Sequence, residues 1–206
     1  MQILHPVGSS LQEYLQSLQI PENRQRWKPV HCPLCRGKDS LTAHGFYSRT
    51  VVDQGFDGVL CIYRYLCRLC RRTVSLLPDF LLPYLRFSLP LVGRFLIARL
   101  RDGQTLQNSA ESAGLADMPY QRGQHWIRRF RKQVTSVAVA LVFLTTAVPA
   151  PSLMARALSM LQTVGWIPAH RFLFSELRLH LLGWPAFLAP DGQWVRLRSV
   201  APPPNP

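Results

Sequence analysis

Four of the chain's five cysteines stand as two Cys-x-x-Cys pairs, Cys32-Pro-Leu-Cys35 and Cys67-Arg-Leu-Cys70. A thiolate pair at this spacing grips one ion from a tight turn. Two such turns supply the tetrahedral S₄ set that suits Zn²⁺, with Zn–S distances of about 2.3 Å. Pro33 stiffens the first turn, and Gly37 is expected to let backbone N–H groups approach sulfur. Four thiolates leave a zinc site anionic, and Arg36, Arg68, Arg71 and Arg72 lie beside it in sequence. A redox dithiol needs only one pair, in a βαβ context that is missing here; iron is the rarer alternative metal. Cys61 is the odd one out. It is read as a small buried side chain on the strand face of Tyr63, Tyr65 and Cys67. His31 and His44 flank a site that four cysteines already fill, so both are read as surface residues or neighbours of the ligands.

The elements that must position these sulfurs follow from local composition. Residues 42–52 and 59–67 are rich in β-branched and aromatic side chains, and Asp53-Gln-Gly-Phe-Asp-Gly58 between them supplies turn residues. The second pair directly follows a strand, where a zinc ribbon places its return turn. A ribbon of roughly 55 residues with so little apolar content is not expected to fold without its ion. The expected fold class is α+β: a small antiparallel zinc ribbon, then an all-α helix-turn-helix-like region and C-terminal helices.

Four regions emerge along the chain. Residues 1–29 form an N-terminal extension with a short helix over residues 10–18, ended by Pro21. Residues 30–86 form the ribbon, and from Pro78 through Pro83 to Pro90 prolines punctuate a linker at its end. Residues 87–148 hold three helices. The first covers residues 88–101, the second is capped by Thr105 and ends near Gly114, and the third runs from Pro119 through Val148. Residues 149–206 contribute two more helices broken between Gly165 and Pro168, then a Pro-rich tail. The uncharged run over residues 134–148 is shorter than the roughly 20 residues that span a bilayer, and is read as a core helix.

The chain carries 24 basic against 11 acidic residues, a formal charge of +13. That balance favours a polyanionic partner. All the basic residues except Lys28, Lys38 and Lys132 are arginine. Arg64, Arg68, Arg71 and Arg72 interleave with Tyr63 and Tyr65, a pattern suited to phosphate contact, though compensation of the thiolates is an equally plain use for them. At 100° per residue, Trp126, Ile127, Phe130, Val134 and Val137 gather on one side of the third helix. Gln121, His125, Arg128 and Lys132 lie opposite, with Arg122 and Arg129 at a border. This division suits a helix seated in the major groove, and also any solvated helix. A short helix and a turn precede it, as in a helix-turn-helix.

The strings Cys32-Pro-Leu-Cys-Arg-Gly37, His44-Gly-Phe-Tyr-Ser-Arg49, Arg64-Tyr-Leu-Cys-Arg-Leu-Cys-Arg-Arg-Thr-Val-Ser75 and Leu77-Pro-Asp-Phe-Leu-Leu-Pro-Tyr84 resemble an uncharacterised bacterial zinc-ribbon family. Its members look like the N-terminal zinc ribbon plus helix-turn-helix of insertion-sequence transposases. His125-Trp-Ile-Arg-Arg-Phe130 is similar to the end of their recognition helix. The resemblance implies DNA binding in a mobile-element setting with zinc as the structural metal, and it implies no reaction.

Catalysis is not expected. A transposase of the DDE type needs three carboxylates holding two metal ions, and beyond Asp117 only Glu176 and Asp191 remain. The N-terminus lacks a basic stretch followed by an apolar run, so no secretory signal is read and a cytoplasmic setting is expected. The reading is thus a zinc-binding, non-catalytic DNA-binding protein, an accessory or regulator of a transposase. Its expected partners are DNA, a transposase or a second copy of itself, with no membrane and no small-molecule substrate. The rivals are a zinc-stabilised protein–protein adaptor and the remnant of a larger transposase.

Overall fold

The computed structural model describes residues 1–6, 10–146 and 149–184. The expected Pro-rich tail and Asp191 lie outside the described residues.

The long hairpin appears where composition placed it. Strand β2 (Leu41–Asp53) pairs antiparallel with β3 (Phe56–Cys67) around a turn at Gln54 and Gly55. Gly55 has φ +70°, a conformation that a residue with a Cβ rarely adopts. The ladder slips between Ala43 and Phe46, where Gly45 has φ +78°. Below the slip Leu60 and Ile62 are the buried residues of β3; beyond it the buried residues are Tyr65 and Cys67. The expected single face through Cys61, Tyr63 and Tyr65 is therefore not kept. Cys61 is half-exposed and belongs to none of the buried clusters.

The sheet is larger than a ribbon, and it is not purely antiparallel. A third strand, β4 (Thr73–Pro78), follows the second cysteine turn and pairs with β3. The N-terminal β1 (Gln2–His5) joins β4 in parallel, giving the order β1-β4-β3-β2. Both added strands are short, and β4 ends at a proline, which gave composition little to mark. Helices α1 (Leu11–Leu18) and α2 (Asn23–Arg26) follow β1. Leu11 and Tyr14 of α1 pack on Val51, Leu60, Ile62, Leu77 and Phe80, and the Tyr14 hydroxyl donates to the Cys61 carbonyl at 2.7 Å. Trp27 joins this layer to the cysteine end, its ring meeting those of Tyr14 and Tyr63.

The remaining helices enclose a second, larger core. These are α3 (Leu89–Leu100), α4 (Leu106–Ser112), α5 (Tyr120–Leu141), α6 (Leu153–Val164) and α7 (Trp166–Ser175). Ser88, Thr105 and Ser152 cap α3, α4 and α6, each hydroxyl accepting an N–H three residues on. Trp126 is fully buried and meets Phe87 and Phe95 edge-on. Helix α5 stops at Leu141, short of the expected Val148. Thr145 and Thr146 are weak helix formers and Pro149 disfavours helix before it; residues 147 and 148 lie outside the described residues. The end of the apolar run is surface, not core: Val139, Val142, Phe143 and Leu144 are exposed. The break between α6 and α7 is the single residue Gly165.

The two parts are stapled at the hairpin turn. Ser88 donates to Asp53 at 2.6 Å, Arg94 to Gln54 at 2.8 Å, and Arg86 forms a two-pronged ion pair with Asp57. The exposed Arg86–Asp57 pair contributes at most about 1 kcal/mol, but the three contacts together fix where α3 begins. Gly93 on α3 lies under the Trp166 ring, and a Cβ there would sit 2.8 Å from Trp166 Cδ2. Gly93→Ala is expected to lower stability by about 1–3 kcal/mol through overpacking, less up to about 1 kcal/mol regained from helix preference. A urea titration checks this, and an unchanged midpoint would show that the ring moves freely.

Candidate metal centre and basic helix

The two cysteine turns are built alike. In the first, the Cys32 N–H donates to the Gly37 carbonyl at 3.0 Å and the Arg36 N–H to the Cys32 carbonyl at 2.8 Å. In the second, the Cys67 N–H donates to the Arg72 carbonyl at 3.0 Å and the Arg71 N–H to the Cys67 carbonyl at 2.9 Å. Arg36 and Arg71 occupy the same place and share a left-handed backbone, φ 60° and 57°. A side-chain-bearing residue holds that conformation only where its surroundings impose it. The turns are joined by the Arg68 N–H, which donates to the Ser40 carbonyl at 2.8 Å.

This pairing brings all four sulfurs together. Every Sγ of Cys32, Cys35, Cys67 and Cys70 lies within 4.8 Å of the others, a group able to hold a metal ion. Cys32 Sγ is 3.8 Å from Cys70 Sγ, and Cys35 Sγ is 3.6 Å from Cys67 Sγ. Cys32 and Cys67 are fully buried in a small core with Leu41, Tyr65, Val74 and Leu76. The Cys70 N–H, the Ser40 hydroxyl and the Leu69 N–H draw the Cys67 thiol down to about 6. The Arg72 N–H acts the same way on Cys70, but desolvation and the neighbouring sulfurs outweigh it and push that thiol up to about 11. Backbone dipoles thus favour a thiolate at one corner while crowding resists a second, the situation a bound cation resolves. Gly37 also makes room across the turns: the Leu69 side chain fills the space where its Cβ would stand.

Arg36, Arg68, Arg71 and Arg72 are all exposed on these turns, as are His31 and His44. Arg64 is half-buried beside Thr73 on β4. On α5, Gln121, Arg122, His125, Arg128 and Lys132 are exposed, while Gly123, Trp126, Ile127 and Phe130 are buried on the other side. Arg131, which composition did not single out, is exposed between Arg128 and Lys132. Arg122 also lies over the Phe87 ring, 5.2 Å from its centroid. Partial burial and the cations Arg129, Arg128 and Arg122 hold His125 below its ordinary value.

Arg129 is used differently. Its guanidinium donates to the carbonyls of Leu182 and Gly183, fastening the segment after α7 to α5. Arg49, half-buried on β2, likewise donates to the carbonyls of Leu82 and Leu85. Neither role has a local sequence signal, because the accepting carbonyls are distant in the chain.

Residues 32–115 match a family model described as a domain of unknown function (DUF6431). The match takes in both cysteine turns, β2 to β4, α3 and α4, and stops before α5. No curated protein and no solved structure matches the chain. Among the described residues no helix is long and apolar enough to cross a membrane.

Proposed function

We propose that the chain is a zinc-binding, non-catalytic DNA-binding protein, in which Cys32, Cys35, Cys67 and Cys70 hold one structural Zn²⁺ and α5 contacts DNA. A tetrahedron with Zn–S near 2.3 Å has edges of about 3.8 Å, and the sulfur pairs at 3.8 and 3.6 Å fit it. The observation that carries the DNA reading is the division of α5. Arg128 and Lys132 lie exposed on one side, with exposed Arg122 and Arg131 at its two borders, while Trp126, Ile127 and Phe130 lock the opposite side into a core shared with α3 and α4. Helix α4, a turn holding Gly114 at φ +75°, and α5 follow in helix-turn-helix order. The turn is longer than in the compact form of that motif. Arg129, held by carbonyls, is left out of the contact set; Arg68, Arg71 and Arg72 stay in it. The sequence resemblance supports a cytoplasmic accessory or regulator of a transposase.

Elemental analysis of the purified chain tests the metal, with one zinc per chain expected. A filter-binding titration across salt concentrations tests the DNA. Each phosphate contact contributes a slope of about −0.9 in log K against log salt, so Arg128→Glu with Lys132→Glu should flatten the slope by about 2 and weaken binding at every sequence tried. Affinity that is flat with salt in the parent, or unchanged in the double variant, would remove α5 from the account.

A second reading, an adaptor that docks on a partner protein or on a second copy, is favoured by the adjoining exposed side chains Val142, Phe143 and Leu144. The apolar residues of α6 and α7 do not serve it, since Leu158, Met160, Leu161, Leu173 and Phe174 are buried within the chain. A pull-down that survives nuclease, without retention on a heparin resin, would favour this reading.

A further inference from the structure

We propose that Leu69 is an apolar wedge that enters the base stack of duplex DNA held at the second cysteine turn; this rests on the DNA-binding reading above. Leu69 is 68 % exposed although it stands between Cys67 and Cys70, both in the sulfur cluster. Its backbone is fixed by the turn that shapes the metal site, which is closed on either side of it by the Cys67 N–H to Arg72 carbonyl and Arg71 N–H to Cys67 carbonyl bonds. Its side chain is braced as well, lying over Gly37 of the other turn in space that any larger residue would fill. A leucine seated on the surface in this way leaves apolar area in water that burial would recover at about 25 cal/mol per Å².

The surroundings define what would bury it. Arg68, Arg71 and Arg72 are exposed on both sides of Leu69, and no acidic residue stands between Asp57 and Asp79 in sequence. A protein partner would have to answer three guanidiniums with carboxylates, whereas two phosphate strands flank any groove of DNA. Cations beside a projecting aliphatic side chain is the chemistry of proteins that part a base step from the minor groove. Pyrimidine–purine steps such as TA yield most easily to it. The equivalent position of the first turn, Leu34, is 45 % exposed and followed by exposed Arg36, so the paired turns present the same combination twice.

The test uses the full, metal-loaded chain and a duplex carrying 2-aminopurine at its TA steps, whose fluorescence rises on unstacking. Saturating protein should raise it. Leu69→Ala should remove the rise while affinity stays within about tenfold of the parent, because phosphate contacts dominate binding, and Leu69→Phe should keep it. Metal content and circular dichroism should match in all three proteins, since the side chain is exposed. A duplex that is bound without a rise, or an equal rise with Leu69→Ala, overturns the wedge and leaves the DNA reading standing. No binding to the duplex overturns both. Loss of a nuclease-resistant protein partner in Leu69→Ala would also overturn it, placing Leu69 in a protein interface.

Discussion

Exhaustive chelation of the purified chain, or Cys67→Ser, is expected to unfold the cysteine end while leaving most helical signal in place. The core beside the sulfurs is small: Cys32 and Cys67 themselves are two of its six fully buried members. Residues 30–40 and 67–72 are otherwise held by a handful of turn hydrogen bonds, which must also offset the left-handed backbone of Arg36, Asp39 and Arg71. Structural zinc contributes on the order of 10–16 kcal/mol in small modules, as much as the whole stability of an ordinary domain. The helical core, which takes in Val52 and Leu82 and runs on through Leu182, has its own continuous packing and contains none of the four cysteines, so it is expected to survive loss of the metal. Trp27, packed between His5, Tyr14 and Tyr63, should become solvated on chelation. Far-UV circular dichroism near 222 nm should fall only modestly. A chelated protein with an unchanged denaturation midpoint and near-UV spectrum would show that the four thiols need no ion.

Acid should destabilise the other end of the molecule. His170 and His180 are almost completely buried. Burial lowers His170 to about 3 and His180 to about 4, and each suffers from charge nearby: His180 in the first case, Arg129 and Arg49 in the second. His180 is also locked as one tautomer, its Nε2 donating to the Pro83 carbonyl and its Nδ1 accepting the Leu182 N–H. The unfolded chain binds these protons near pH 6.5 and the folded chain does not. The stability contributed is therefore full above pH 6.5 and is lost as pH falls toward 4. The two together should remove roughly 2 kcal/mol between pH 7 and 5.5. Asp79 acts in the opposite sense: burial raises it despite its ion pair with Arg171, so its protonation relieves the fold. Neither ring nitrogen of His170 has a well-formed hydrogen bond among the described residues. His170→Leu should thus hold or raise stability at pH 7 and reduce the acid slope by about half. Urea midpoints across pH measure this, and parallel profiles for parent and variant would remove His170 from the explanation.

The parts legible beforehand were those with local causes. Two identical cysteine spacings fixed the sulfur cluster, β-branched runs on either side of Gly55 marked the hairpin, and Ser88, Thr105 and Gly114 bounded their helices. What escaped has causes far away in sequence. β1 is a strand only because β4 offers it an edge, and β4 only because β3 does. The slip at Gly45 moved burial from one set of β3 residues to the other, which a strict two-residue alternation could not express. Arg129 looked like any border cation of an amphipathic helix, because the carbonyls that hold it lie more than fifty residues on. Nothing local distinguished Leu69 from the many leucines that are buried.

Strand β3 carries a final consequence. Its 12 residues run without a break from the Asp53–Ser88 and Arg86–Asp57 attachments to Cys67. At about 3.3 Å per residue that is roughly 35–40 Å, close to the ~34–36 Å of one turn of B-DNA. α3 clamps the hairpin at one end, and an ion held among the four sulfurs would clamp it at the other. On the proposed reading the hairpin would then act as a ruler, and loss of that ion would erase the fixed span between its ends.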